Sequence, residues 1–266
     1  MANIIALLTD FGISDPFVGV MKGVILSINP KATIVDLAHN IPKFDIRYAA
    51  FMLRTSYKYF PRGTIFCVVV DPGVGTQRRP IVVETRNYYF VGPDNGCLAM
   101  AIKEDGVLRV FIIENRKYML RNISTTFHGR DIFAPISAYL SLGVNPSEFG
   151  RSVDPNTLEE MVMEDYAKHD DYYEAEVICH DSFGNIFLNM PTEALDEPAG
   201  STLEVMVRDK MFRAKVARTY GDGAEGELLI LRETSHGFVE IAVNMGSAAR
   251  LIGVRPKEKI RIIRRH

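Results

Sequence analysis

Three strand-like runs in this chain each close on an aspartate. Ile4-Ile5-Ala6-Leu7-Leu8-Thr9 leads to Asp10, Thr33-Ile34-Val35 to Asp36, and Val68-Val69-Val70 to Asp71. In an open parallel sheet the carboxyl ends of the strands border the ligand crevice, so carboxylates delivered there describe a polar pocket floor. The third run continues through Pro72-Gly73-Val74-Gly75 to Arg78-Arg79. Glycines let backbone approach a ligand, and arginine supplies a fixed positive charge beside it. The glycine spacing and the lysine of a nucleotide-phosphate loop are both missing. Taken alone, the stretch reads equally as a functional loop or a tight turn.

Phe127-His128-Gly129-Arg130-Asp131 precedes a helical pattern. Asp131 there suits an N-cap, and His128 faces a helix N-terminus, where anions are favoured. An acid, a cation and an imidazole brought together could orient a nucleophile and take its proton. Asp10, Asp36, Asp71 and His128 offer an alternative, a set of metal ligands for assisted hydrolysis. Further along, Asp181 and Asn185 flank a turn in which an aspartate commonly caps its own backbone. Asn244 through Ala249 is small and polar after a strand, and its backbone could contact a flat ligand or form a plain loop. Asp222, between two glycines, reads as a hairpin turn.

The elements that must position these groups alternate in the first half. After the strand ending at Asp10, apolar residues recur at helical spacing over Asp15–Ile28, and Pro30 closes that helix. A strand at Thr33–Leu37, a helix at Asp45–Tyr59 and a strand at Thr64–Val70 complete a βαβαβ pattern, which right-handed crossovers turn into a parallel sheet. A strand or hairpin over Pro80–Val91, the turn Gly92-Pro93-Asp94-Asn95-Gly96, a helix near Cys97–Lys103, a strand at Val107–Ile113 and a helix at Asp131–Leu142 follow. From Tyr172 onward, short alternating runs separated by turn signals predict an antiparallel barrel or sandwich. These runs are Glu174–Cys179, Asn185–Met190, Thr202–Val207, Phe212–Tyr220, Glu227–Leu231, Phe238–Val243 and Lys259–Ile263. The expected organisation is an α/β domain with a mostly parallel sheet over 1–160, a polar linker over 161–171 and an all-β barrel over 172–266.

Composition narrows the function classes. Thirty-one basic residues against 33 acidic ones leave a net charge of −2 over 266 residues, without the basic field that nucleic acid demands. The basic C-terminal stretch alternates with isoleucine and reads as a solvated strand face. Three cysteines, Cys67, Cys97 and Cys179, follow no metal spacing and suit a reducing compartment. No apolar run reaches membrane-spanning length, and no basic, apolar leader opens the chain. A cytoplasmic protein acting on a small molecule, without nucleic acid or membrane partners, is expected.

The motifs taken together are recognisable. Thr9-Asp10-Phe11-Gly12, Asp71-Pro72-Gly73-Val74-Gly75, Phe127-His128-Gly129-Arg130-Asp131 and Asp181-Ser182-Phe183-Gly184-Asn185 occur in this order. They resemble the S-adenosylmethionine hydrolase (adenosine-forming) family, also called SAM hydroxide adenosyltransferases, relatives of fluorinase and chlorinase. The resemblance covers essentially the whole chain. It implies an N-terminal α/β domain and a C-terminal β-barrel, assembled as a homotrimer with substrate at subunit interfaces. The implied reaction is cleavage of S-adenosyl-L-methionine by water into adenosine and methionine, with no cofactor and no metal. By motif position Asp71, Arg78 and His128 would handle the water, with Arg79 adjacent to Arg78 as the competing choice. Asp10 would bind the ribose hydroxyls, with Asp15 and Phe44 lining the pocket. Asp181 and Asn185 would recognise the methionine and ribose end, and Asn244, Ser247 and Ala249 the adenine. Fluorinase carries a tyrosine and a serine where this chain has Asp71 and Gly129. A carboxylate would repel a bare halide and accept a hydrogen bond from water instead. A non-catalytic adenosyl-binding protein and a halide-dependent adenosyl transferase are the alternatives.

Overall fold

The computed structural model describes residues 3–161 and 165–264. The chain divides into two compact units, residues 1–161 and 162–266. Unit 1 begins with β1 (Ile4–Thr9), α1 (Phe17–Ile28), β2 (Thr33–Ala38), α2 (Ile46–Ser56) and β3 (Ile65–Val69). It continues with β4 (Pro80–Thr85), β5 (Tyr89–Pro93), α3 (Ala99–Asp105), β6 (Val107–Ile112), α4 (Ala134–Ser141) and β7 (Ser152–Val153). The sheet order is β2-β1-β3-β5-β4-β6-β7. Parallel pairing joins β2, β1, β3 and β5, and antiparallel pairing through β4 returns β6 to the same direction. Five of the seven strands therefore run one way, the mostly parallel sheet that the alternating pattern predicts.

Both faces of this sheet are covered, which explains why its central strands are apolar at every position. Ile5 and Leu7 of β1, with Ile65, Cys67 and Val69 of β3, meet Met21 and Ile25 of α1 and Ile136 of α4. Ala6, Leu8, Phe66 and Val68 on the opposite face meet Ala49 and Leu53 of α2 and Ala101 of α3. The period of two places successive side chains in the two cores. Asp45 starts α2 by accepting a hydrogen bond from the Tyr48 amide (2.9 Å).

Two local expectations are corrected. The helix expected from Asp131 opens instead on a wide π turn, Gly129–Phe133, before α4. Asp131 is not an N-cap. It is fully buried, accepts from the Ser124 amide (2.8 Å) and pairs with Arg130 (2.6 Å). Asp36 does not stand at a strand end. It lies within β2 opposite Leu7, and its carboxylate binds Lys22 (2.6 Å) and His39 (2.8 Å).

Unit 2 comprises β8 (Ala167–Lys168), β9 (Tyr172–His180), β10 (Ile186–Pro191), β11 (Thr202–Val207) and β12 (Lys210–Ala217). It ends with β13 (Leu228–Leu231), β14 (Phe238–Val243), α5 (Ala248–Ile252) and β15 (Lys259–Ile263). The order β9-β10-β14-β13-β12-β11-β15 closes on itself through β15–β9 and β10–β9 pairing, a seven-stranded barrel. Every pairing around it is antiparallel except β12 with β13. Val177, Leu188, Val205, Val216, Ile230, Ile241 and Ile260 fill the interior. Of the stretch expected as a linker, residues 162–164 lie outside the described residues, and Ala167–Lys168 add an edge to β9. Among the described residues no helix is long and apolar enough to cross a membrane.

Candidate functional site

In unit 1, β1 and β3 lie side by side and parallel, so the residues that follow them emerge at one edge. Asp10 follows β1, and Val70-Asp71 follows β3. The π turn brings His128 to the same place. Phe11, Phe17 and Phe127 pack with ring centroids 5.4 to 5.7 Å apart and tie that turn to the start of α1. The Asp71–Arg78 loop runs so close to the 125 carbonyl that a Cβ on Gly75, at φ +76°, would lie 2.3 Å from it. Only glycine fits that path.

The central arrangement is a guanidinium shared between an acid and an imidazole. Arg78 Nε donates to both oxygens of Asp71 (3.0 and 2.9 Å), its Nη2 reaches Asp71 Oδ2 (2.5 Å), and the same Nη2 lies 2.8 Å from His128 Nδ1. Both side chains of the ion pair are largely buried, and Phe133 lies under the guanidinium. A guanidinium can only donate, so Nδ1 of His128 accepts and the ring carries its proton on Nε2. Burial, and then the positive charge of Arg78, hold His128 below its ordinary value, which favours the same neutral ring. The adjacent Arg79 turns elsewhere and pairs with Asp94.

Asp10 is buried, its Oδ2 accepts from the Phe44 amide (2.9 Å), and its carbonyl accepts from Lys43 Nζ (2.5 Å). Phe44 itself adopts a left-handed backbone, φ 65°, with its ring mostly exposed. Such a conformation is costly for a bulky residue and tends to occur at binding loops. Asp10, Phe44, Asp71, Phe127 and His128 line a cavity of about 260 Å³. Asp15 stands exposed before α1 and is not among its lining residues. Among the described residues no group of three or more His, Cys, Asp or Glu side chains is set to hold a metal ion.

Unit 2 has its own pocket of about 960 Å³, lined by Asp181, Asn185, Tyr220, Asn244, Ser247 and Ala249 among others. Asp181 caps its turn: Oδ1 accepts from the amides of Phe183 (3.0 Å) and Asn185 (2.9 Å), and Oδ2 from the Asn185 side chain (3.1 Å). Ala249 N donates to the Gly184 carbonyl (2.9 Å), docking the α5 loop on that turn. Ser247 caps α5 through the Arg250 amide (3.3 Å), and Asn244 Nδ2 holds the Gly223 carbonyl (2.9 Å). The five barrel residues singled out in the sequence thus share one pocket.

The SAM hydroxide adenosyltransferase N-terminal domain matches residues 5–150, and the corresponding C-terminal domain matches residues 175–261. The chain belongs to this family. Within it, the chain is 38 % identical over 262 residues to a protein of Salinispora tropica named (R)-S-adenosyl-L-methionine hydrolase, with 97 % of each chain covered. A fluorinase of Nocardia brasiliensis is more distant, 26 % identical over 276 residues with 92 % of each covered. The crystal structure of an uncharacterized conserved protein from Thermotoga maritima superposes with a TM-score of 0.92 at 40 % identity, covering 98 % of this chain and all of that one.

Two residues that carried no sequence signal line the candidate clefts of this family member. Lys43 sits in a plain loop, and only the fold brings it to the Asp10 carbonyl. Tyr220 lines the barrel pocket; its hydroxyl donates to Glu240 (2.7 Å), and burial and then that carboxylate push the phenol pKa up. The charge argument against halide also changes. Asp71 is not a bare carboxylate, because Arg78 neutralises it, so repulsion of a halide by that single charge is weakened.

Proposed function

We propose that this protein hydrolyses S-adenosyl-L-methionine to adenosine and L-methionine. The observation that carries the reading is the single guanidinium joined to both Asp71 and His128 beside the Asp10 cavity, in a chain that matches hydrolases along nearly its full length. In the proposed reaction the water oxygen bonds to ribose C5′ as the C5′–S bond breaks. The electron pair of that bond passes to sulfur, so methionine departs neutral and needs no proton. The water's proton leaves to solvent by way of the Asp71–Arg78–His128 group. Asp10 holds the ribose hydroxyls, and Arg78 favours hydroxide character in the bound water. General-base help of this kind supplies about 10²–10⁴-fold, and alignment of the nucleophile the larger share, up to about 7–11 kcal/mol.

The division of labour follows the two units. Unit 1 carries the reacting centre with Phe44 as a wall and Asp15 at its approach. Unit 2 contributes Asp181 and Asn185 to the methionine and ribose end and Asn244, Ser247 and Ala249 to adenine. A homotrimer with sites at subunit interfaces, acting in the cytoplasm without metal or cofactor, completes the reading, and sedimentation velocity tests the assembly. Incubation of chelator-treated protein with S-adenosyl-L-methionine, presented as either sulfonium epimer, tests the activity. Equimolar adenosine and methionine, abolished by Asp71→Ala, are expected. Tight binding of adenosine without turnover would replace the hydrolase reading with that of an adenosyl-binding protein.

A further inference from the structure

The turn Gly92-Pro93-Asp94-Asn95-Gly96 has no part in the reaction as described, yet two of its side chains reach the two ends of the Asp71–Arg78 loop. Asn95 Nδ2 donates to the Val70 carbonyl (3.0 Å), and Val70 immediately precedes Asp71. Asp94 N donates to the Arg79 carbonyl (2.9 Å), and Arg79 immediately follows Arg78. Asp94 Oδ2 accepts from Arg79 Nε (2.8 Å) and from its Nη2. The far oxygen of Asp94 is held by the Glu159 amide (2.9 Å), and Arg79 is held from its other side by Thr157. The carboxylate of Asp94 is almost wholly buried.

Between these two grips the loop is exposed over Gly75–Gln77, with short internal turns from Val74 N to the Asp71 carbonyl (3.2 Å) and Thr76 N to the Gly73 carbonyl (3.1 Å). Gly75 meets the 125 carbonyl at mid-loop, and the two ends set the rest of the loop's path. We propose that Asp94 and Asn95 form a clamp that positions the loop carrying Asp71 and Arg78, with Arg79 as the clamped residue. They are positioning residues and touch no substrate. This inference rests on the assignment of Asp71 and Arg78 to the reaction. It also explains the twin arginines: one is fastened so that its neighbour can be aimed.

Two variants test it. Asn95→Ser keeps a short oxygen able to accept from the Cys97 amide (3.1 Å in the parent), adds no charge, and removes the donor to Val70. Arg79→Lys keeps the charge and loses the fork. Misplacement of a reacting group by about 1 Å costs on the order of 10²-fold, so kcat per folded molecule should fall by about tenfold or more in each. KM should stay within about threefold, because ground-state contacts are untouched. The His128 titration, followed by NMR, should move up toward its ordinary value as water enters and Arg78 withdraws, which a merely structural bond would not produce. A kcat within about twofold of the parent in both variants, or a loss no larger than the lost folded fraction, with His128 titrating as in the parent, overturns the clamp. Undiminished turnover by Asp71→Ala would instead contradict the site assignment, and the His128 titration would still decide whether the loop is clamped.

Discussion

The two clefts use similar side chains in opposite ways. In unit 1, Asp71, Arg78 and His128 bond to one another, and none of the bonds described between them closes a turn or caps a helix. In unit 2, Asp181, Asn244 and Ser247 each satisfy backbone groups: two amides of a turn, a carbonyl and a helix start. A site whose polar side chains bond chiefly to one another, with one further bond from His128 to the Ser124 backbone, tolerates a charge-conserving change at small cost to the fold. A pocket built from its own turn caps loses binding and stability together. On the proposed reading, the first cleft is the place of chemistry and the second a shaped receptor.

The largest effect should come from the shared guanidinium. Arg78→Lys keeps a positive charge but cannot bridge Asp71 and His128, and kcat should fall by about 10²-fold or more, within the range of positioned acid–base groups. The urea midpoint should barely move, and a fall comparable to that of Asp181→Ala would break the contrast between the clefts. Next, Gly75→Ala forces a Cβ onto the 125 carbonyl. It should destabilise the protein by about 1–3 kcal/mol and lower kcat with little change in KM. Asp181→Ala should cost about 1–3 kcal/mol, from amides left without their acceptor, and raise KM more than it lowers kcat.

The smallest effect is a pH dependence. His128 is held below its ordinary value of 6.5, so activity that needs the neutral ring should be complete at neutral pH and decline with a midpoint under 6.5. The sign for stability agrees. The unfolded chain takes up the proton first, so the contribution of neutral His128 is full above the unfolded value and is lost as pH falls through the native one. A kcat profile together with the NMR titration of His128 checks both, and Arg78→Lys should leave the midpoint closer to that of its parent than a neutral replacement such as Arg78→Met.

Much of the fold was legible because burial on both faces writes a continuous apolar strand. β1 and β3, with the turn residues after them, announce where Asp10 and Asp71 must lie. Asp36 misled because an aspartate inside a half-exposed strand spells the same pattern as one at its end. Asp131 misled because a π turn has no residue signature of its own. Arg78 and Arg79 could not be separated on sequence, since an irregular loop has no period to assign faces. The barrel strands were visible as alternation, but closure through β9 and β10 depends on register between segments that no local pattern reports. Tyr220 and Glu240 meet because β13 aligns the end of β12 with β14, again a register between segments.

The most direct test of the central claim follows the oxygen. Turnover of S-adenosyl-L-methionine in ¹⁸O-labelled water, with products read by mass spectrometry, distinguishes attack at C5′ from every other cleavage. One heavy oxygen in the 5′-hydroxyl of adenosine and none in methionine is the predicted result. Unlabelled adenosine, or label carried by the sulfur-containing product, would contradict the account.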